Sequence, residues 1–157
     1  MEIPHHEIKL LLNSSGYKGS DIDKVIPDFF TDRDTIVGLV HIPAHNGPDS
    51  WVLNIIIGYA LVKVSDSFIS ELAKDLYKWS KSKLTKLFNK KPNSDGAILL
   101  EFDDIKISCY EYYVGKDKLL EFPNEISRLI KAVDREKSKT WLAKFDEDKQ
   151  VWQLEAD

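Results

Sequence analysis

Cysteine is almost absent from this sequence. Cys109 is the single cysteine among 157 residues, so no disulfide can form within the chain and no C-x-x-C motif exists. Such scarcity is typical of proteins that work in a reducing compartment, where disulfides are rare. We therefore expect a cytoplasmic location.

Long hydrophobic runs are missing as well. The most apolar stretch, residues 51–62, is almost free of charge, but at about a dozen residues it is shorter than the ~20 that a membrane-spanning helix needs. The first residues, 1–7, lack the basic start and apolar run of a signal peptide. We predict no membrane span, and we interpret residues 51–62 as a buried core element.

The sequence also lacks the familiar phosphate-binding and catalytic motifs. It contains no G-x-G-x-x-G, no G-x-x-x-x-G-K-[ST], no G-x-S-x-G and no H-E-x-x-H. These absences remove the classes of nucleotide-binding protein, hydrolase and zinc protease that carry such signatures. We expect no cofactor.

The composition is that of a folded globule. The chain is 43% hydrophobic and 31% charged, with four Trp, six Tyr and seven Phe, whereas disordered chains are poor in aromatic residues. Its length fits a single domain, which we place at 1–157. The net charge of -4 argues against a protein that coats nucleic acid with its whole surface.

Two segments have the apolar spacing of amphipathic helices. Over residues 67–89 the apolar side chains follow an i, i+3, i+4 pattern, which places them on one face of a helix. A second such segment covers residues 124–138, where Asn124 after Pro123 is a favourable N-cap. The sequence therefore predicts two main helices.

Two shorter helices are predicted near the start of the chain. Apolar residues within 8–12 recur at helical spacing, and Gly16 is a natural stop after them. Residues 20–26 begin with a pattern that resembles a capping box, and Pro27 would end that helix.

Strand-like segments make up much of the remaining sequence. Because several arrive in adjacent pairs, the sequence predicts a largely antiparallel sheet with helices over one face, hence an α+β fold. Residues 51–64 fit either a buried strand or a buried helix, and their branched side chains favour a strand at the start. The strands that the sequence predicts are 35–42, 97–102, 105–114, 140–145 and 150–154.

The histidines offer one candidate metal site. His41, His45 and Asp49 hold two imidazoles and a carboxylate, which are zinc-binding groups. Their spacing would join them only on a helix, and Pro43 interrupts one. Local hydrogen bonding in a loop is the simpler interpretation, so we predict no metal site.

A short acidic pattern supports one enzymatic alternative. Asp104-Ile105-Lys106, with Glu101 and Asp103 nearby, resembles the D-x-K of metal-dependent nucleases, in which carboxylates hold Mg²⁺. The resemblance is incomplete, because those nucleases also have an acidic residue a strand-length upstream. The alternative interpretation is a solvated hairpin turn.

Cys109 is a candidate nucleophile, with His41 or His45 as its base. It shares the apolar phase of its predicted strand with Ile105 and Ile107. Free cysteine in such a position behaves as a small hydrophobic residue, and we predict a structural role.

A run of lysines on the longest predicted helix is the main charge feature. Such a face is most often simply solvated, but it could also bind phosphates of nucleic acid or an anionic lipid surface. Its members are Lys74, Lys78, Lys81, Lys83 and Lys86, followed by Lys90 and Lys91.

Exposed aromatic residues suggest a protein partner. We expect Tyr110, Tyr112 and Trp152 on the sheet face opposite the core, where tyrosine and tryptophan often anchor interfaces. The alternative is that a helix covers that face and these residues belong to the core. Acidic turns at 101–104 and 146–148, opposed to the lysine run, would steer such a partner. The sequence therefore predicts a non-catalytic protein-interaction module, for instance an immunity or accessory protein of a microbial system. The alternatives are a nucleic-acid-binding protein and a divergent Mg²⁺-dependent nuclease.

Overall fold

The computed structural model describes residues 6–14, 20, 21, 24, 35–43, 50–59, 66–89 and 95–157. The strands in these ranges are β1 (His6–Ser14), β2 (Thr35–Pro43), β3 (Ser50–Tyr59), β4 (Asp95–Phe102), β5 (Ile105–Tyr110), β6 (Thr140–Asp146) and β7 (Val151–Ala156). The helical segments are α1 (Asp66–Trp79), a π-helical segment (Ser80–Leu84), α2 (Thr85–Phe88), α3 (Glu111–Val114) and α4 (Lys116–Ala132).

The strands form one seven-stranded sheet in the order β2-β1-β3-β4-β5-β6-β7. Pairing along it alternates: β2–β1, β3–β4 and β5–β6 are parallel, while β1–β3, β4–β5 and β6–β7 are antiparallel. The expected α+β class is confirmed. The expectation of a largely antiparallel sheet is wrong, because the sheet is mixed.

The connections between strands explain this mixture. Short turns join β4 to β5 and β6 to β7, and short turns give antiparallel hairpins. Helical segments lie between β3 and β4 and between β5 and β6, and a helical crossover returns the chain in a parallel direction. The two hairpins are present as predicted, and the helices between strand pairs are also present, but these helices return the chain in parallel, which makes the sheet mixed.

The hydrophobic core lies on one face of the sheet, beneath α1 and α4. Alternate strand residues such as Leu53, Ile55 and Ile107 are buried and form one cluster with Leu76 of α1 and Phe122 of α4. The residues between them, for example on β3 and β4, are only half-buried on the other face. Such alternation of buried and half-buried residues along a strand is expected where one face of the sheet is well covered.

The first predicted helix is wrong, because residues 6–14 form strand β1. β1 lies between β2 and β3 and pairs with both. Leu10 and Leu12 are fully buried, whereas Leu11 is half-buried, so the apolar pattern has the period of a strand. Of the second predicted helix, Ser20 and Asp21 are helical, and most of the rest lies outside the described residues.

The helix predicted for residues 124–138 instead spans Lys116–Ala132 as α4 and contains Pro123. Pro123 does not start the helix, because burial of Leu119, Leu120 and Phe122 continues the apolar face upstream of it. Gly115, at φ 84°, precedes the helix, a backbone conformation that glycine adopts readily. The predicted strand 105–114 accordingly ends at Tyr110.

The remaining main predictions agree with the structure. The predicted helix 67–89 is present as α1, the π-helical segment and α2. Residues 50–59 form β3, which decides the ambiguous 51–64 segment in favour of a strand over its first part. None of the helices in the described ranges is long and apolar enough to cross a bilayer.

Candidate functional site

Three tyrosines form an exposed patch where β5 gives way to α3. Tyr110, Tyr112 and Tyr113 are 37%, 89% and 54% exposed, and we call them the tyrosine patch. The Tyr113 ring meets the other two edge to face, with centroids 6.2 Å from Tyr110 and 5.1 Å from Tyr112. Large exposed aromatic groups that contact one another are typical of binding surfaces.

The local sequence explains why these rings face solvent. β5 ends at Tyr110, and the chain then makes the four-residue helix α3, of which Val114 is the buried residue. Val114 fixes α3 against the core, so Tyr112 and Tyr113 are held on its outer side. Lys144 of β6 lies 5.4 Å from the Tyr113 ring centroid and also pairs with Glu155.

A cavity of about 230 Å³ lies beside the tyrosine patch. It lies where β3 and β4 begin and β5 ends. Because β3 and β4 are parallel and β4 and β5 are antiparallel, these three strand ends lie side by side at one end of the sheet. The residues that line it are Trp51, Val52, Asp95, Gly96, Ala97, Tyr110 and Tyr112.

Trp51 forms the buried wall of this cavity. It is 1% exposed, and its indole stacks on Phe88 of α2 with centroids 3.8 Å apart and planes 6° apart. The ring edge that carries Nε1 lies directly over Gly96. Its Nε1–H has no hydrogen-bond partner among the described residues, and an unmet buried donor is energetically unfavourable.

Two carboxyl groups lie at the same end of the sheet. Asp95 lines the cavity, and Glu111 interacts with Asp95 from the first position of α3. Burial raises the pKa of the Glu111 carboxyl, and the negative charge of Asp95 raises it further, while the charge of Lys116 lowers it. The structure pairs neither carboxylate with a cation within 4.0 Å in the ranges it describes.

The five lysines of the predicted basic face lie on α1, the π-helical segment and α2. Lys74, Lys78, Lys81 and Lys86 are exposed and Lys83 is half-buried. Lys81 lies 5.7 Å from the Tyr77 ring centroid, and none of the five lines the cavity. Lys90 and Lys91 lie outside the described residues.

The acidic residues of the nuclease-like pattern are occupied by surface ion pairs. Glu101 pairs with Lys106 at 3.5 Å, and Asp103 pairs with Arg135 at 2.9 Å. Asp104 pairs with Lys139 at 2.8 Å, which lowers the pKa of its carboxyl.

Within the described ranges no cluster of three metal-binding side chains occurs, and the side chains of His41, His45 and Asp49 lie outside the description. Mg²⁺-dependent cleavage stays a prediction, whose test is whether plasmid cleavage is lost in Asp104→Ala.

Cys109 and Trp152 are parts of the core. Cys109 is fully buried, and burial raises the pKa of its thiol well above the usual range, which disfavours the nucleophilic thiolate. Trp152 packs against Phe122 and Phe145 on the helix-covered face, so its predicted place on the opposite face is wrong.

The sequence predictions found part of this site. Tyr110 and Tyr112 are exposed as expected, although Tyr112 lies on α3 and not on a strand face. Tyr113, Trp51 and Glu111 were not singled out. The run Tyr110-Glu111-Tyr112-Tyr113 is a local signal that could have indicated Tyr113, whereas Trp51 is distant in sequence.

Comparison with known proteins adds no relative: no family model, no curated protein and no solved structure matches this chain.

Proposed function

We propose that this protein is a non-catalytic interaction module that binds another protein through the tyrosine patch. The observation that carries the proposal is the exposure of Tyr110, Tyr112 and Tyr113 as one contiguous surface. Tyrosine loses little side-chain entropy on binding and offers both an apolar ring and a hydroxyl, which is why it is frequent at interfaces.

The acidic turns support electrostatic steering of a partner less strongly than the sequence suggested. Glu101, Asp103 and Asp104 are neutralised by neighbouring cations. At the other acidic turn, Asp146 accepts hydrogen bonds from the backbone N–H groups of Asp148 and Lys149. The aromatic surface therefore supports the proposal better than the acidic turns do. An immunity or accessory role in a microbial system remains our hypothesis for its setting, motivated by the Lys-, Ile- and Asp-rich composition.

The test compares three tagged forms of the chain expressed in the native host. Proteins retained by the wild type, Tyr112→Ala and Tyr77→Ala are quantified by mass spectrometry. Tyr77 lies on α1 outside the patch, so it is a matched tyrosine control. We expect a partner that the wild type and Tyr77→Ala retain and that Tyr112→Ala loses at least about tenfold, since central aromatic residues often dominate binding. If no retained protein depends on Tyr112, the proposal is wrong.

A second candidate function is nucleic-acid binding through the lysine face. It is favoured by Lys74, Lys78 and Lys81, which project from one helix without a carboxylate partner in the described structure. Contacts with phosphates release counterions, so affinity would fall steeply with salt.

Fluorescence anisotropy with duplex and single-stranded oligonucleotides at low salt tests this candidate. We expect Lys78→Gln/Lys81→Gln to weaken any binding, whereas Lys137→Gln/Lys149→Gln, with the same change in net charge, leaves it unaltered. No binding at low salt would exclude the lysine face as a nucleic-acid site.

A further inference from the structure

The cavity beside the tyrosine patch combines three properties that point to one kind of ligand. Its volume of about 230 Å³ is below the about 300–1,000 Å³ of pockets that enclose drug-sized molecules. A single side chain from a partner is therefore a more suitable occupant than a free cofactor.

The charged residue that lines the cavity is acidic. Asp95 lines it and Glu111 forms a side-chain hydrogen bond with Asp95, so a ligand group placed at Asp95 meets a pair of carboxyl groups. Lys116 is the cation that acts on Glu111, and its effect is smaller than that of Asp95. An incoming cation would favour the ionised form of both carboxyl groups and offset the repulsion between their negative charges.

The walls of the cavity suit a carbon chain that ends in a cation. Tyr110 and Tyr112 contribute aromatic surface and Val52 and Ala97 contribute apolar surface. Aromatic faces attract ammonium and guanidinium groups, and lysine and arginine carry long apolar stems behind their charges.

Trp51 supplies an observation independent of the charges. Its Nε1–H is buried and unpartnered at the Gly96 side of the cavity. Because this nitrogen has almost no accessible surface, a ligand carbonyl would accept its hydrogen bond only after a shift of the backbone at Gly96.

We propose that the cavity receives the side chain of a lysine or arginine residue of the partner protein. Its charge lies at Asp95 and the adjoining Glu111, and its stem lies against Tyr110 and Tyr112. This inference rests on the proposed function, because it assigns the chemistry of the partner segment that meets the tyrosine patch.

NMR titrations of the ¹⁵N-labelled chain with small probes test the proposal without the partner. The probes are Nα-acetyl-lysinamide and Nα-acetyl-argininamide, and Nα-acetyl-norleucinamide is the control that keeps the carbon chain and peptide groups but lacks the charge. We expect the cationic probes to shift the Gly96 amide and the Trp51 indole signals saturably, with affinity at least about tenfold above that of norleucinamide.

Substitutions distinguish a site that requires a positive charge from one that binds any apolar side chain. Asp95→Asn/Glu111→Gln should weaken the cationic probes by roughly tenfold and leave norleucinamide unchanged, whereas Asp148→Asn/Glu147→Gln, an exposed acidic pair elsewhere, should have no effect. If the double variant does not fold, Asp95→Asn alone gives the same test, since Asp95 is exposed and lines the cavity.

Failure of the cavity proposal can be distinguished from failure of the proposed function. Equal affinity for norleucinamide, unchanged affinity in Asp95→Asn/Glu111→Gln, or no shift with any probe would each overturn the assignment of a basic side chain. A partner whose retention still depends on Tyr112 would then leave the interaction module standing without this cavity.

Discussion

The indole of Trp51 occupies the space that any side chain at residue 96 would need. The two residues are directly paired between β3 and β4, and a Cβ built on Gly96 would overlap Trp51 Cε2 and Cζ2. Because Phe88 is stacked on the same indole, the ring cannot easily move away. Gly96 therefore determines where the buried wall of the candidate site lies.

Gly96→Ala should destabilise the fold by about 1–3 kcal/mol, since overpacking of a well-packed core forces side chains and backbone to shift. Urea unfolding followed by circular dichroism measures the change. In a Trp51→Leu background the same substitution should cost at least about 1 kcal/mol less, because neighbours in contact are not additive.

Gly115→Ala serves as the comparison for this prediction. Nothing lies within 4 Å of a Cβ at Gly115, but its φ is 84°, so the strain of about 1–3 kcal/mol comes from the backbone. Its effect should add to that of Trp51→Leu within about 0.5 kcal/mol. Full additivity of Gly96→Ala with Trp51→Leu would show that the indole is not the obstacle.

Ser80→Ala should stabilise the protein. Ser80 is fully buried in the π-helical segment, and its Oγ has no hydrogen-bond partner among the described residues. Removing an unsatisfied buried hydroxyl is expected to raise the free energy of unfolding by about 1 kcal/mol. Ser82→Ala, an exposed position in the same segment, should change it by less than about 0.5 kcal/mol. A clear loss of stability in Ser80→Ala would mean that the hydroxyl is satisfied in solution.

Cys109 should be inert to thiol reagents in the native protein. Its thiol is fully buried in the core cluster, and burial raises its pKa, so the reactive thiolate is scarce below strongly alkaline pH. A disulfide-exchange reagent monitored by absorbance should label it only after denaturant is added, and Cys109→Ser should lower stability by about 1–3 kcal/mol. Rapid labelling of the native chain at pH 8 would contradict this placement.

The Asp104 carboxyl should titrate below its ordinary value. The hydrogen bond and charge of Lys139 lower its pKa from 3.8, because both favour the ionised form. A lowered folded-state pKa means that the stabilisation is present above the unfolded-state pKa and is lost as pH falls through the folded-state value. ¹³C NMR of the carboxyl should show the midpoint rising in Lys139→Ala and unchanged in Lys137→Ala. An identical midpoint in wild type and Lys139→Ala would show that the pair does not form in solution.

Local sequence patterns predicted those helices and strands in which the buried residues follow the regular spacing of the element itself. The helix covering α1 and α2 was found because its apolar residues follow 3.6 residues per turn from Ile69 to Phe88. The β6–β7 hairpin was found because two strand-like segments flank a polar turn. β1 was missed because apolar residues at 8, 11 and 12 fit a helix as well, and only its two neighbouring strands decide against one.

The start of α4 shows the same difficulty. Proline usually begins or ends a helix, yet Pro123 lies within α4. Burial of Leu119 and Phe122 outweighs the hydrogen bond that Pro123 cannot donate. The candidate site was predicted as far as Tyr110 and Tyr112. Its other members, Trp51 and Asp95, join it through strand register, which a single sequence does not reveal.

The sequence by itself determined the α+β class, the longest helix and the last two hairpins, because hydrophobic period and turn chemistry are local properties. Tertiary structure alone decided the alternation of parallel and antiparallel pairs, since that depends on how helical crossovers return the chain. It alone also placed Trp51, Gly96, Asp95 and Tyr110 around one cavity, because strand pairing brings together residues nearly sixty positions apart along the chain.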